Sequence, residues 1–182
     1  MIHDSDASPL FALCALARVS LGAAAVSIAT VHDEGLRYVA ADGAGADEIV
    51  GTILPPGAGI GGFVAATGQS LSVRDPVSDP RFARDVGERT GYVPNAIQCV
   101  AVHDVDGDVA AVLSILDRGS PTPTGGHGAT RVIDLVVDLA EALIGAVDDD
   151  EIDLEGRLAA LGPNERLRAT DVVTAVLDAF EP

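Results

Sequence analysis

Two cysteines, four histidines and scattered arginines are the side chains from which this 182-residue chain would have to build chemistry. Cys14 and Cys99 both lie in apolar runs and neither belongs to a CxxC pair. They read as reduced, buried thiols that behave as small hydrophobes. Cys99 falls mid-strand, between Gln98 and Val100. It shares its strand phase with His103, four residues on, which is too far for a contact along the strand. No Ser, His and Asp grouping has the context of an activated nucleophile. His3, His32, His103 and His127 fall in an N-terminal stretch, a turn, a strand end and a linker, without the spacing of a zinc pair. A haem would want one histidine in an apolar pocket, for which His103 is the candidate. The expectation is no catalysis, no metal and no cofactor.

The elements that would position a site follow from turn residues and periodicity. Ser8-Pro9 opens a helix that runs to Gly22, with Leu10, Phe11, Cys14, Ala17 and Leu21 on one face. Strands are expected over 23–31, 36–41 and 49–54, with 42–48 a small-residue loop. Gly57, Gly59, Gly61 and Gly62 form a glycine-rich turn, followed by a short helix that Gly68 ends. A strand over 70–73 leads into the irregular segment 75–94, which holds one short helix around 80–88. Irregular backbone of this length inside a domain is often functional. Strands over 96–103 and 108–117 flank Asp106-Gly107, a strong hairpin signal. Val109, Ala111, Leu113 and Ile115 face one way, and Ala110, Val112, Ser114 and Leu116 the other, so both faces of the sheet need a cover. A Pro/Gly/Ser/Thr linker over 119–128 precedes a helix over 129–147 that is apolar around most of its circumference. Beyond the acidic break at 148–151, two short helices are expected, one around Ile152 to Leu161 and one around Val172 to Phe180.

Composition bounds the class. Apolar residues make up 48% of the chain and aromatics 3%, so a substantial core must be built from Ala, Val, Leu and Ile. The net charge is −17 and there is no lysine. Such a surface repels phosphate backbones and anionic bilayers, so neither nucleic acid nor membrane is an expected partner. No basic leader with a long apolar core opens the chain and no long apolar run follows, so a soluble cytoplasmic protein is expected.

In order and spacing, five pieces of this chain resemble the GAF domain family. They are Gly59-Ile60-Gly61-Gly62, Ala66-Thr67-Gly68, Val73-Arg74-Asp75, Asp79-Pro80-Arg81-Phe82 and the strand end Val112 to Arg118. The resemblance spans roughly residues 9–147. It implies an α+β, profilin-like (GAF/PAS-like) domain with a central antiparallel sheet of about six strands. The N- and C-terminal helices would cover one face and the ligand-covering segments the other. Residues 1–147 would be the domain, and 148–182 a helical tail docking on the domain or on a partner.

Members of the family are small-molecule sensors, often dimeric. The resemblance therefore implies a noncatalytic sensory or regulatory module that binds an unknown small molecule. It would signal through a homodimer seam of N- and C-terminal helices or through a partner protein. The runner-up is a degenerate fold that serves as a dimerisation or interaction scaffold without ligand. Free methionine sulfoxide reductases resemble this chain in the glycine-rich turn, but carry a cysteine there where this chain has Gly61, and more cysteines where 75–96 has none. A cysteine-histidine pair for a bilin and the Asn-Lys motif for a cyclic nucleotide are also missing. In the family the ligand lies between the sheet and its covering segments. The candidates here are Phe63, Phe82 and Tyr92 as walls, Cys99 as floor, and Arg81, Arg84 and Arg89 as forked donors to a carboxylate or phosphate. The competing reading has Phe82 plugging the core, Arg81 pairing with a neighbouring acid, and Arg89 pairing with Asp85 one helical turn earlier.

Overall fold

The computed structural model describes residues 9–119 and 126–147. Contacts divide the chain into two compact units, Met1–Ile144 and Gly145–Pro182. The expected tail helices beyond residue 147 lie outside the described residues.

Among the described residues the elements are α1 (Pro9–Leu21), β1 (Ala25–His32), β2 (Gly35–Gly43), α2 (Ala46–Ile49), β3 (Ile53–Leu54), α3 (Gly59–Thr67), β4 (Leu71–Arg74), α4 (Arg84–Thr90), β5 (Ala96–His103), β6 (Val109–Leu116) and α5 (Gly126–Val147), with a 3₁₀ turn at Pro76–Ser78. The sheet has six strands in the order β3-β2-β1-β6-β5-β4, and every neighbouring pair is antiparallel. This is the expected α+β architecture.

Strand alternation sorts the core into two layers. On one face Val26, Ile28, Ala40, Val102, Ala111, Leu113 and Ile115 pack with Leu10, Leu13, Cys14 and Ala17 of α1 and Ile133, Val136 and Ala140 of α5. On the other face Ala29, Leu36, Ile97, Cys99, Ala101 and Val112 pack with Ile60 and Val64 of α3. α1 buries one side only, since Val19 is 61% exposed.

Two expectations need correction. The strand expected over 49–54 is only Ile53–Leu54, and the expected loop before it closes into the helical turn α2. Gly45 enters that turn at φ +73°, and its amide oxygen accepts from Ile49 N–H at 3.1 Å, so this local bond prevails over the apolar Ile49-Val50 pair. The helix expected from residue 80 starts at Arg84, because the side chain of Asp79 accepts the Arg81 N–H and holds residues 79–82 in a turn.

The glycine-rich turn shows two uses of glycine. Gly57 and Gly59 adopt positive φ, +74° and +75°. Gly62 lies in ordinary helix, but a Cβ there would sit 2.7 Å from the Gly57 carbonyl carbon.

Candidate functional site

A half-enclosed cavity of about 100 Å³ lies between the second face of the sheet and α2, α3 and α4. Its floor is set by register. Ser27 of β1 pairs with Ser114 of β6, and Ser114 pairs with Cys99 of β5, so three small side chains form a row across adjacent strands. Ser27 is 9% and Ser114 7% exposed. The Cys99 thiol and the Ser114 hydroxyl are 3.4 Å apart. Burial pushes the Cys99 thiol up to about 11, against the opposing pull of Ser114, so it is a protonated thiol near neutral pH. The phenol of Tyr38 on β2 also lines the cavity, and burial pushes it well above the ordinary tyrosine range. Among the described residues, neither the Ser27 nor the Tyr38 hydroxyl has a hydrogen-bond partner within the protein.

The walls are mostly apolar: Ile49 of α2, Leu54 of β3, Ile60 of α3, Phe82 and Val86 around α4, and Ile97 and Leu116 of the sheet. Tyr92 and Pro94 close one end. The Tyr92 hydroxyl donates to Asp117 Oδ2, while Asp117 Oδ1 accepts from the Asn95 and Ala96 N–H groups at 2.8 Å each. Asp117, at φ +47°, thereby ties the irregular segment to the end of β6. Burial, then the bond to Asp117, pushes the Tyr92 phenol up to about 12.

Of the residues singled out in the sequence, Phe82, Tyr92 and Cys99 line this cavity, and Phe63, Arg81, Arg84 and Arg89 do not. Arg81 forks onto Asp79 (Nη2 to Oδ2 2.7 Å, Nε to Oδ1 2.9 Å), and its guanidinium stacks 4.8 Å from the Phe63 ring centre. That pairing holds the Asp79 carboxyl down at about 2. Arg89 lies 3.7 Å from Asp85, one helical turn away. Ser27 and Tyr38 escaped the sequence reading. The available signal was the alternation, which puts Ser27 on the face of β1 opposite Val26 and Ile28.

Comparison with known proteins fits this architecture. The GAF domain of the Acinetobacter phosphoenolpyruvate-protein phosphotransferase superposes with a TM-score of 0.61 over 84% of this chain and 89% of that one, at 18% identity. The chain has the GAF fold. A free methionine-R-sulfoxide reductase from Neisseria meningitidis, solved with its substrate, shares the GAF fold at TM-score 0.57 and 17% identity, over 74% of this chain and 75% of that one. In sequence, 75 residues (41% of this chain) are 37% identical to a cGMP-specific 3',5'-cyclic phosphodiesterase of Drosophila melanogaster. The chain spans about 6% of the length of that relative. No protein-family model matches the chain.

In this GAF-fold chain, no residue lining the cavity carries a formal charge at neutral pH. Its two cysteines lie on opposite faces of the sheet, Cys14 in the layer with α1 and Cys99 on the cavity floor. No group of three metal-ligating side chains occurs among the described residues. No helix among them is long and apolar enough to cross a membrane.

Proposed function

We propose that this GAF domain is a noncatalytic sensory or regulatory module that binds a small molecule in the cavity and signals through a dimer seam or a partner protein. The carrying observation is the half-enclosed cavity itself, with two hydroxyls unbonded within the protein, Ser27 and Tyr38, on a mostly apolar wall. Sites of this make-up suit binding, in which few polar groups orient a mostly apolar contact. Against catalysis stand the uncharged lining and a floor thiol that stays protonated near neutral pH.

The seam falls to α1 and α5. Val19 is exposed, and Val132, Val137, Leu139, Leu143 and Ile144 of α5 are only partly covered by their own chain, so the same helices of a second copy would complete their burial. Residues 148–182 would then read out the seam as a tail docked on the domain or on a partner. Buried, reduced thiols fit a cytoplasmic setting. The small volume of the cavity favours one alternative, a ligand-free dimerisation scaffold.

Native mass spectrometry of gently purified protein, against its denatured mass, separates these readings. Release of a small molecule on denaturation supports the sensor. A clean dimer with no adduct supports the scaffold. A clean monomer removes the seam.

A further inference from the structure

We infer that the cavity takes a short aliphatic monocarboxylate, held by the free amides that open α3 and by the Ser27 hydroxyl; this rests on the cavity being a binding site. Gly59, Ile60 and Gly61 form the first turn of α3 and line the cavity. Ala58 occupies the capping position with no side-chain acceptor, and the N–H groups of Gly59, Ile60 and Gly61 have no acceptor among the described residues. The start of a helix presents such N–H groups together with the positive end of its dipole, which suits an anion.

The second, independent observation is Ser27. Its side chain is nine-tenths buried, faces the same cavity from the sheet side and has no protein partner. The hydroxyl oxygen is therefore open to the cavity, where it can bond a ligand atom. Tyr38, which pairs with Ala29 two residues along β1 from Ser27, adds a phenol that remains a donor at neutral pH.

The charge must be single. No arginine lines the cavity and the chain has no lysine, so only neutral donors and one helix end would face the anion. A phosphate monoester dianion would be left largely uncompensated there. The repulsion of a −17 chain does not exclude a monoanion, because exposed charges are screened beyond about 8 Å at physiological ionic strength. The remainder of the wall, Ile49, Phe82, Val86 and Ile97, offers only hydrocarbon and asks for an alkyl chain. The enclosed space of about 100 Å³ has room for roughly seven to ten non-hydrogen atoms, counting one per water-sized site of about 10–15 Å³.

The test is titration of ¹⁵N-labelled full-length protein at pH 7 with butyrate, with butyramide as neutral isostere and nitrate as inorganic anion. Butyrate is expected to shift the amide resonances of Gly59, Ile60 and Gly61. Butyramide should bind at least tenfold more weakly, and Ser27→Ala should weaken butyrate about tenfold, as for loss of a hydrogen bond to a charged group. Equal binding of butyrate and butyramide overturns the carboxylate but leaves the cavity a binding site. Nitrate binding as tightly as butyrate overturns the alkyl chain. If no probe shifts these amides while native mass spectrometry releases another compound, this inference alone falls. If neither experiment finds a ligand, the sensor reading falls with it. Unchanged butyrate affinity in a folded Ser27→Ala protein removes Ser27 from the site and overturns the assignment.

Discussion

Gly61 and Gly62 are chain neighbours in one helical turn, yet alanine at each should act in opposite directions. A Cβ on Gly61 would lie 3.4 Å from Leu36 Cδ1 and 4.0 Å from Val112 Cγ1, ordinary contact with side chains. A Cβ on Gly62 would lie 2.7 Å, 3.2 Å and 3.3 Å from the carbonyl carbon, Cα and oxygen of Gly57. Backbone there cannot rotate aside, and Gly57 is held at φ +74° by the turn it makes. Both substitutions gain the same helix preference of alanine over glycine, up to about 1 kcal/mol. That gain cancels in the comparison and leaves the overpacking cost at Gly62, about 1–3 kcal/mol. Gly61→Ala should therefore be neutral to stabilising. Gly62→Ala should melt below it by roughly 2–12 °C, at about 2–4 °C per kcal/mol for a chain of this size. Urea unfolding at 25 °C with a shared slope, plus a thermal melt followed by circular dichroism, measures both. Equal midpoints, or a more stable Gly62→Ala, would refute the reading that Gly62 is required by close backbone approach.

Two further expectations follow from the buried acids and from the tie at Asp117. Burial raises Cys99 to about 11 and Cys14 and Tyr92 to about 12, and raises Tyr38 as well. The unfolded chain therefore releases these protons first, so stability is full below about pH 8 and falls as pH rises from about 9 towards 12. Urea midpoints between pH 8 and 10.5 should drop steadily, Cys99→Ala should flatten the fall between 9 and 11, and a pH-independent midpoint would contradict the burial of these groups. Asp117→Ala removes three hydrogen bonds from the segment that closes the cavity and should cost about 2–3 kcal/mol, against about 1–2 for Tyr92→Phe, which removes one. Faster proteolysis within residues 75–95 in Asp117→Ala than in Tyr92→Phe would mark the same hierarchy locally, and equal rates would count against it.

Much of the fold was legible because it rests on local rules. Asp106-Gly107 announced the β5–β6 hairpin, and Gly107 indeed takes φ +89°. The alternation in 109–116 separated Leu113 and Ile115 from Val112 and Ser114, and the two faces are packed accordingly. Arg81 and Arg89 lie beside acids two and four residues away, so their pairing was visible as spacing. The cavity floor was not visible in this way. Ser27, Ser114 and Cys99 become neighbours only through the registers of β1 with β6 and β6 with β5, and no local pattern encodes register between strands so far apart. α2 was missed because Ile49-Val50 prefers a strand in isolation, while the helical turn is set by Gly45 and by the demand to seat Ile49 in the cavity wall.

The strand order carries a consequence for how the molecule is made. β1, β2 and β3 are neighbours in sequence as well as in space, and so are β4, β5 and β6. The two halves meet at a single seam, where Ala25 pairs with Leu116 and Thr30 with Ala111. That seam is the middle of the sheet, and it closes only after β6, the last strand among the described residues, has been synthesised. Until then a ribosome-bound chain holds three strands, from β1 to β3, whose open edge is the hydrogen-bonding side of β1. Pairs this distant in sequence form slowly, on the millisecond-to-second scale of nonlocal β topologies. The nascent first half therefore exposes an apolar, aggregation-prone edge for as long as translation of the second half takes.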